Sequence, residues 1–399
     1  MQIIGRIAQL TLLSLLTLGT PAASQDTSKP PLIARESFAG MNNTNSSTLS
    51  FKILQLADLH LTGDPSYRCR NTPSSLANDG VLCTESLTTE FVNTLLDLEQ
   101  PDFVVFTGDN VETFTEENHQ AAINAVTQGV QDRKIPFALV FGNHDDENGF
   151  PREEIMEMLL EKNYSYAQRG PTTVDGVGNY RLSVHAPTGG VWGQAGSPVL
   201  QMYFLDSGAY PDTGRYPGVR STYDWIKPNQ VAYYRELSLA AQNGSSSPSS
   251  PPDPALMFFH IPLQEYNFDA FETRFTSGDR NERVASSDVS SELFSVLVER
   301  NEVKATFVGH DHVNDYCFNR QGIQLCYGGG AGLGQAYGSE NVARRARVIE
   351  WGVDSSNQRT IRSWKRLLGN LGQRYGEQVL FPVATTAAGS LRLTSAASV

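Results

Sequence analysis

Two kinds of hydrophobic patterning alternate along the chain. Short uninterrupted apolar runs recur at FKILQLA (51–57), DFVVFTG (102–108), FALVFGN (137–143), LQMYFLD (200–206), LMFFHI (256–261) and KATFVGH (304–310). They are rich in β-branched and aromatic residues, which predicts strands buried on both faces. Between them lie stretches whose apolar residues recur every three or four positions, TTEFVNTLLDLEQ (88–100), REEIMEMLLEKN (152–163) and PNQVAYYRELSLA (228–240). That spacing predicts amphipathic helices. The alternation predicts an α/β fold with helices layered around central sheet. In open α/β sheets chemistry gathers beyond the carboxyl ends of the strands.

The ends of the chain break this pattern. Arg6 precedes a Leu-rich run, Leu10 to Leu18, and Ala22, Ala23 and Ser24 follow. This predicts a secretory signal peptide over residues 1–23. The apolar run falls short of the about 20 residues a membrane span needs. Residues 24–50 are polar and read as a flexible lead-in. A single domain is expected over 51–380, with a loosely packed tail over 381–399. QNGSSSPSSPPDP (242–254) reads as an exposed Ser/Pro-rich insertion rather than a domain divider.

Export implies an oxidising compartment, extracellular or vacuolar. The four cysteines allow three pairings, of which Cys69–Cys83 and Cys317–Cys326 is the simplest. Neither pair has the close spacing of a zinc site. Sequons at Asn42, Asn45, Asn163 and Asn243, together with a signal, predict a glycoprotein. The net charge of −12 argues against nucleic acid as a partner. No membrane association is expected once the signal is removed, and the sequence is silent on oligomeric state.

Polar clusters follow five of the apolar runs: Asp58-Leu59-His60, Asp109 in GDN, Asn143-His144-Asp145, His260, and His310-Asp311-His312. Five of the seven histidines sit there. Singly, Asp58 and GDN are ordinary turn chemistry and His260 suits a satisfied core histidine. Together, oxygen donors mixed with imidazoles suit Zn, Mn or Fe at two adjacent sites, with a carboxylate shared between them. His119 reads as lying on an exposed helix and His185 at a strand end, both without function. Arg280 and Arg283 read as solvated loop residues. YGGG (327–330) suggests close backbone packing near the site.

The order Asp-x-His, Gly-Asp, Gly-Asn-His-Asp, His, Gly-His-x-His resembles the calcineurin-like metallophosphoesterases over roughly 51–364. LQLADLH, PDFVVFTGDN, FGNHDDENGFPREE, GHDHVNDYC and LCYGGGAG resemble a secreted, purple-acid-phosphatase-like branch. The resemblance implies a two-sheet β-sandwich flanked by helices, in α-β-β-α layers. It implies that Asp58, His60, Asp109 and His312 bind one metal, and that Asp109 bridges to a second completed by Asn143, His260 and His310. His144 would face the substrate free of metal. Purple enzymes carry a tyrosine three residues after the bridging Asp, whereas here that position is Glu112. No purple colour is therefore expected, and Zn, Mn or Fe(II) all suit the pair.

The function expected is a secreted dinuclear phosphatase acting on phosphomonoesters, phosphoproteins among them. A metal-activated hydroxide would attack, His144 would serve as general acid and Asp145 would orient its ring. A phosphodiesterase or nucleotidase is the alternative within the superfamily. An inactive metal- or glycan-binding secreted protein is the alternative from another class.

Overall fold

The computed structural model describes residues 29–38, 47–243 and 253–383. Two sheets face each other. One runs, in spatial order, Asn370–Phe381, Arg359–Leu367, Arg345–Val353, Ser47–Leu56, Phe103–Thr107 and Phe137–Val140, with Arg35–Phe38 also paired to Ser47–Leu56. The other runs Leu32–Ile33, Tyr180–His185, Pro198–Phe204, Ala255–Phe258, Val303–Val308, Ile323–Tyr327, Cys317–Arg320 and Thr276–Ser277.

Successive side chains of a strand point to opposite faces, so each apolar run serves two cores. Phe51, Ile53, Phe103 and Val105 meet Met202, Phe204, Phe258 and Phe307 between the sheets. Leu54, Leu56, Val104 and Phe106 point outward onto the helices Ser86–Glu99 and Glu116–Asp132. Tyr203, Met257 and Phe259 do the same for Pro228–Asn243 and Leu293–Arg300. The order helix, sheet, sheet, helix is the α-β-β-α sandwich expected. Helix Ser86–Glu99 shows how local sequence sets an element. Phe91, Val92, Leu95 and Leu96 line one face, and the helix stops where Gln100 turns left-handed ahead of Pro101.

The expected lead-in needs correction. Leu32–Ile33 pairs with Tyr180–His185 in one sheet, and Arg35–Phe38 pairs with Ser47–Leu56 in the other. Residues 29–38 thus strap both sheets together, and the strand Ser47–Leu56 begins ahead of position 51. These strands escape notice in the sequence because they are very short, and apart from Leu32 and the linking Ala34, which reach the core between the sheets, they are held by ladder hydrogen bonds.

The signal segment 1–23, most of the tail and the centre of the Ser/Pro loop lie outside the described residues. The helix and strand flanking that loop pack into one core, through Val231 and Leu237 on one side and Ala255 and Met257 on the other. Cys69–Cys83 and Cys317–Cys326 are both bonded. Asn163 is exposed, whereas Asn42, Asn45 and the side chain of Asn243 lie outside the described residues. No described helix is long and apolar enough to cross a membrane.

Candidate metal centre

Ser47–Leu56, Phe103–Thr107 and Phe137–Val140 are parallel, as are Ala255–Phe258 and Val303–Val308 in the facing sheet. Their carboxyl ends deliver every expected ligand to one rim of the sandwich. The connections are tight. A Cβ on Gly142 would lie 2.1 Å from Asp109 Oδ1, and one on Gly108 would lie 2.3 Å from His260 Nδ1. That close approach explains the glycines that precede Asp109 and Asn143. Behind them, Gly330 and Gly332 pack against His312 and the Asp58 carbonyl, so the YGGG region abuts the site as expected. Asp58, His60, Asp109 and His310 hold left-handed backbone, with φ of 56°, 45°, 48° and 77°.

The side chains fall into two buried groups sharing one carboxylate. Asp58, His60, Asp109 and His312 form the first, and Asp109, His260 and His310 the second. Asp109 Oδ2 lies 3.5 Å from His60 Nε2 and 3.2 Å from His260 Nε2, between the groups. Asn143 Oδ1 joins the second at 3.3 Å from His260 Nε2.

Ring protonation tests whether cations fit here. His60 Nδ1 is 2.6 Å from Glu112 Oε2, and His312 Nδ1 is 2.8 Å from the Tyr337 carbonyl. Each Nδ1 therefore carries the hydrogen and donates it. Both Nε2 atoms are left as lone pairs facing each other across 3.1 Å. In the second group His260 Nδ1 donates to the Thr107 carbonyl at 2.8 Å. Its Nε2 faces the Asn143 oxygen, Asp109 Oδ2 and, at 3.3 Å, His310 Nδ1. Asp58 Oδ2 and His310 Nε2 are buried without a partner. Convergent acceptors repel one another unless a cation sits among them, and imidazole plus carboxylate is the donor set of Zn, Mn or Fe. The residues present therefore fit a pair of metal ions.

Protonation equilibria carry the same message. Burial pushes Asp58 up to about 7. Burial also raises Asp109, but the histidines around it overcome this and hold it well below the usual carboxylate range. Burial and the neighbouring His260 push His310 down to about 3, whereas His260 rises to about 9 because Asp109 outweighs its own burial. The cluster demands positive charge and distributes protons unevenly to obtain it.

His144 stands at the edge of the centre, about a third exposed, its ring 5.1 Å from that of His60. Burial lowers its affinity for a proton, but the charge of Asp109 and a bond to Glu147 raise it above the usual histidine value. The expected orienting role of Asp145 does not hold. Its carboxylate is buried and accepts from the amides of Asn110, Val111 and Gly142 and from the Asn110 side chain. It ties two ligand loops together, and none of its hydrogen bonds reaches the His144 ring. Glu147 takes that place, with Oε2 at 2.9 Å from His144 Nδ1.

His119 also needs correction. It is fully buried, bonds Thr113 and the Asp145 carbonyl, and stacks on Phe150. Arg280 donates to Phe268 and Asn267 in its own loop, and Arg283 is exposed. Asp311 is buried and accepts from the Tyr327 hydroxyl. Residues unforeseen in the sequence surround the ligands. Tyr337 stacks on His312 at 3.7 Å, Tyr223 meets His310 edge-on at 4.4 Å, and Tyr210 receives the Asn143 amide at 3.4 Å. Glu112, noted only for its place three residues after Asp109, braces His60.

A sandwich with this rim defines the class, and comparison agrees with it: the model of the calcineurin-like phosphoesterase family matches residues 51–314. The chain belongs to that family. It is 37% identical over 336 residues to an Arabidopsis thaliana protein named "Probable inactive purple acid phosphatase 29", covering 79% of this chain and 82% of the relative. It is 36% identical over 341 residues to "Phosphatase DCR2" of Saccharomyces cerevisiae, covering 80% of this chain and 54% of the relative. A solved dimetal phosphatase from Danio rerio is 14% identical with a TM-score of 0.49, covering 78% of this chain and 98% of that one.

Proposed function

We propose that the chain is a secreted, metal-dependent phosphatase that hydrolyses phosphomonoesters at this rim. The observation that carries the reading is the convergence of Asp58, His60, Asp109, Asn143, His260, His310 and His312, with the Nε2 lone pairs of His60 and His312 facing each other across 3.1 Å. Asp58, His60, His312 and Asp109 would hold one ion, and Asp109, Asn143, His260 and His310 the other. Such a pair, when bound, lowers the pKa of water and stabilises charge on a transferring phosphoryl group.

The chain's own part is positioning and proton delivery. Glu112, Thr107 and Tyr337 fix the tautomers of three ligand rings. His144, adjacent to a ligand but not converging with the others, presents a proton held above the usual histidine range. A water oxygen bonds to phosphorus and the bond to the leaving oxygen breaks. That oxygen takes the proton from His144, and the proton lost by water restores the imidazolium.

The word "inactive" in the name of the Arabidopsis thaliana relative favours a second reading, a silent binding protein. The complete ligand set here favours the enzyme. Two disulfides support export to an oxidising compartment. The deciding experiment is metal analysis of purified protein beside turnover on 4-nitrophenyl phosphate and bis(4-nitrophenyl) phosphate. Two ions per chain with faster monoester turnover supports the proposal. Faster diester turnover makes it a phosphodiesterase, and metal without turnover makes it the binding protein.

A further inference from the structure

We infer that Glu147 is the positioning residue for leaving-group protonation, and that Tyr210 locks it to the metal-binding amide of Asn143. The inference rests on the reading of His144 as general acid. The His144 Nδ1 hydrogen goes to Glu147 Oε2 at 2.9 Å, which leaves Nε2 as the nitrogen that delivers the proton. The carboxylate is not free to swing. It starts a single 3-10 turn, Glu147–Gly149, whose Asn148 is left-handed at φ 63°. That turn is pinned by Asn148 Nδ2 donating to the Thr113 carbonyl at 2.7 Å. The other oxygen, Oε1, accepts from the Tyr210 hydroxyl at 3.0 Å. The same phenol oxygen receives Asn143 Nδ2 at 3.4 Å, which aims Asn143 Oδ1 at the second ligand group.

One phenol thus couples the orientation of a metal ligand to that of the acid's partner. It comes from the loop between the strand Pro198–Phe204 and the helix Pro228–Asn243. Tyr223 of that loop packs on His310. This loop therefore sets both His144 and the second half of the centre. Asp145, the nearer acid in sequence, is spent on backbone amides and is unavailable to the ring.

The test compares turnover of an alkyl phosphate, whose leaving oxygen needs a proton, with 2,4-dinitrophenyl phosphate, whose leaving oxygen does not. The readout is the ratio of the two in wild type, Glu147→Ala, Glu147→Gln, Tyr210→Phe and His144→Ala, with metal content measured for each. Glu147→Ala should lower the alkyl-to-aryl ratio at least about tenfold, a share of the 10²–10⁴ that acid catalysis supplies. Glu147→Gln should fall less, because its amide oxygen still accepts from Nδ1 but without charge. Tyr210→Phe should move the same way and least.

A ratio unchanged in both Glu147 variants, while His144→Ala lowers it, overturns the inference and leaves His144 as the acid. Equal losses on both esters, or loss of metal, make Glu147 merely structural and overturn it too. A ratio insensitive to His144→Ala, or a wild type inert on both esters, instead overturns the underlying reading, and the role of Glu147 falls with it.

Discussion

The two halves of the candidate metal centre are built differently. The first has a carboxylate of its own, Asp58, and a second, Glu112, directly behind His60. Its braces are themselves braced, since Gln335 bonds Glu112 at 2.8 Å and Tyr67 at 2.9 Å. The second half has only neutral ligands beyond the shared Asp109. Its His310 is steadied by a ring contact with Tyr223, and its Asn143 by a long bond to Tyr210. Negative charge and rigid outer partners raise ligand basicity and metal affinity. With ions bound, the first half would be expected to hold its ion more tightly than the second, although His260 too is braced, by the Thr107 carbonyl at 2.8 Å.

The severest way to break this asymmetry is to remove what the halves share. Asp109→Asn should abolish phosphatase turnover and take bound metal below two ions per chain by elemental analysis. Two retained ions would refute the shared position of Asp109. His144→Ala should leave both halves loaded yet cost on the order of 10²–10⁴-fold in turnover on an alkyl phosphate. Glu112→Gln should touch the first half alone and weaken its ion roughly 10–100-fold in a competitive chelator titration. Wild type should release its ions in two phases, the second half first, and Glu112→Gln should narrow or reverse that order. Single-phase release from wild type would mean the halves are equal. The mildest change is Tyr223→Ala, for which a shift of about 1 kcal/mol or less, a few-fold in affinity, is expected in the weaker phase alone.

The convergence of Asp58, His60, Asp109, Asn143, His260, His310 and His312 was legible in the sequence because each follows an apolar run, and the polar residue just past a buried strand has nowhere to go but the rim. The same runs imply helices layered around sheet, whereas the two-sheet sandwich is what the family resemblance implies. The braces were not legible. Tyr210, Tyr223 and Tyr337 lie in irregular loops whose position depends on the packing of the whole domain. Asp145 misled through adjacency, since a neighbouring side chain points elsewhere once the backbone turns, whereas Glu147, three residues on, comes back to the ring. His119 did leave a signal. Ala122, Ile123 and Val126 follow it at helical spacing and lie on the same buried face, but the polar residues beside it obscured that stripe. The straps at 29–38 carried too little hydrophobic pattern to be seen.

Left-handed backbone at Asp58, His60, Asp109 and His310 has an evolutionary consequence. Non-glycine residues held in sparsely populated conformations cost about 1–3 kcal/mol each, a burden tolerated where the position is used. A lineage released from catalysis would be free to drift toward glycine or asparagine there, relieving that strain while forfeiting the stabilisation that bound ions confer.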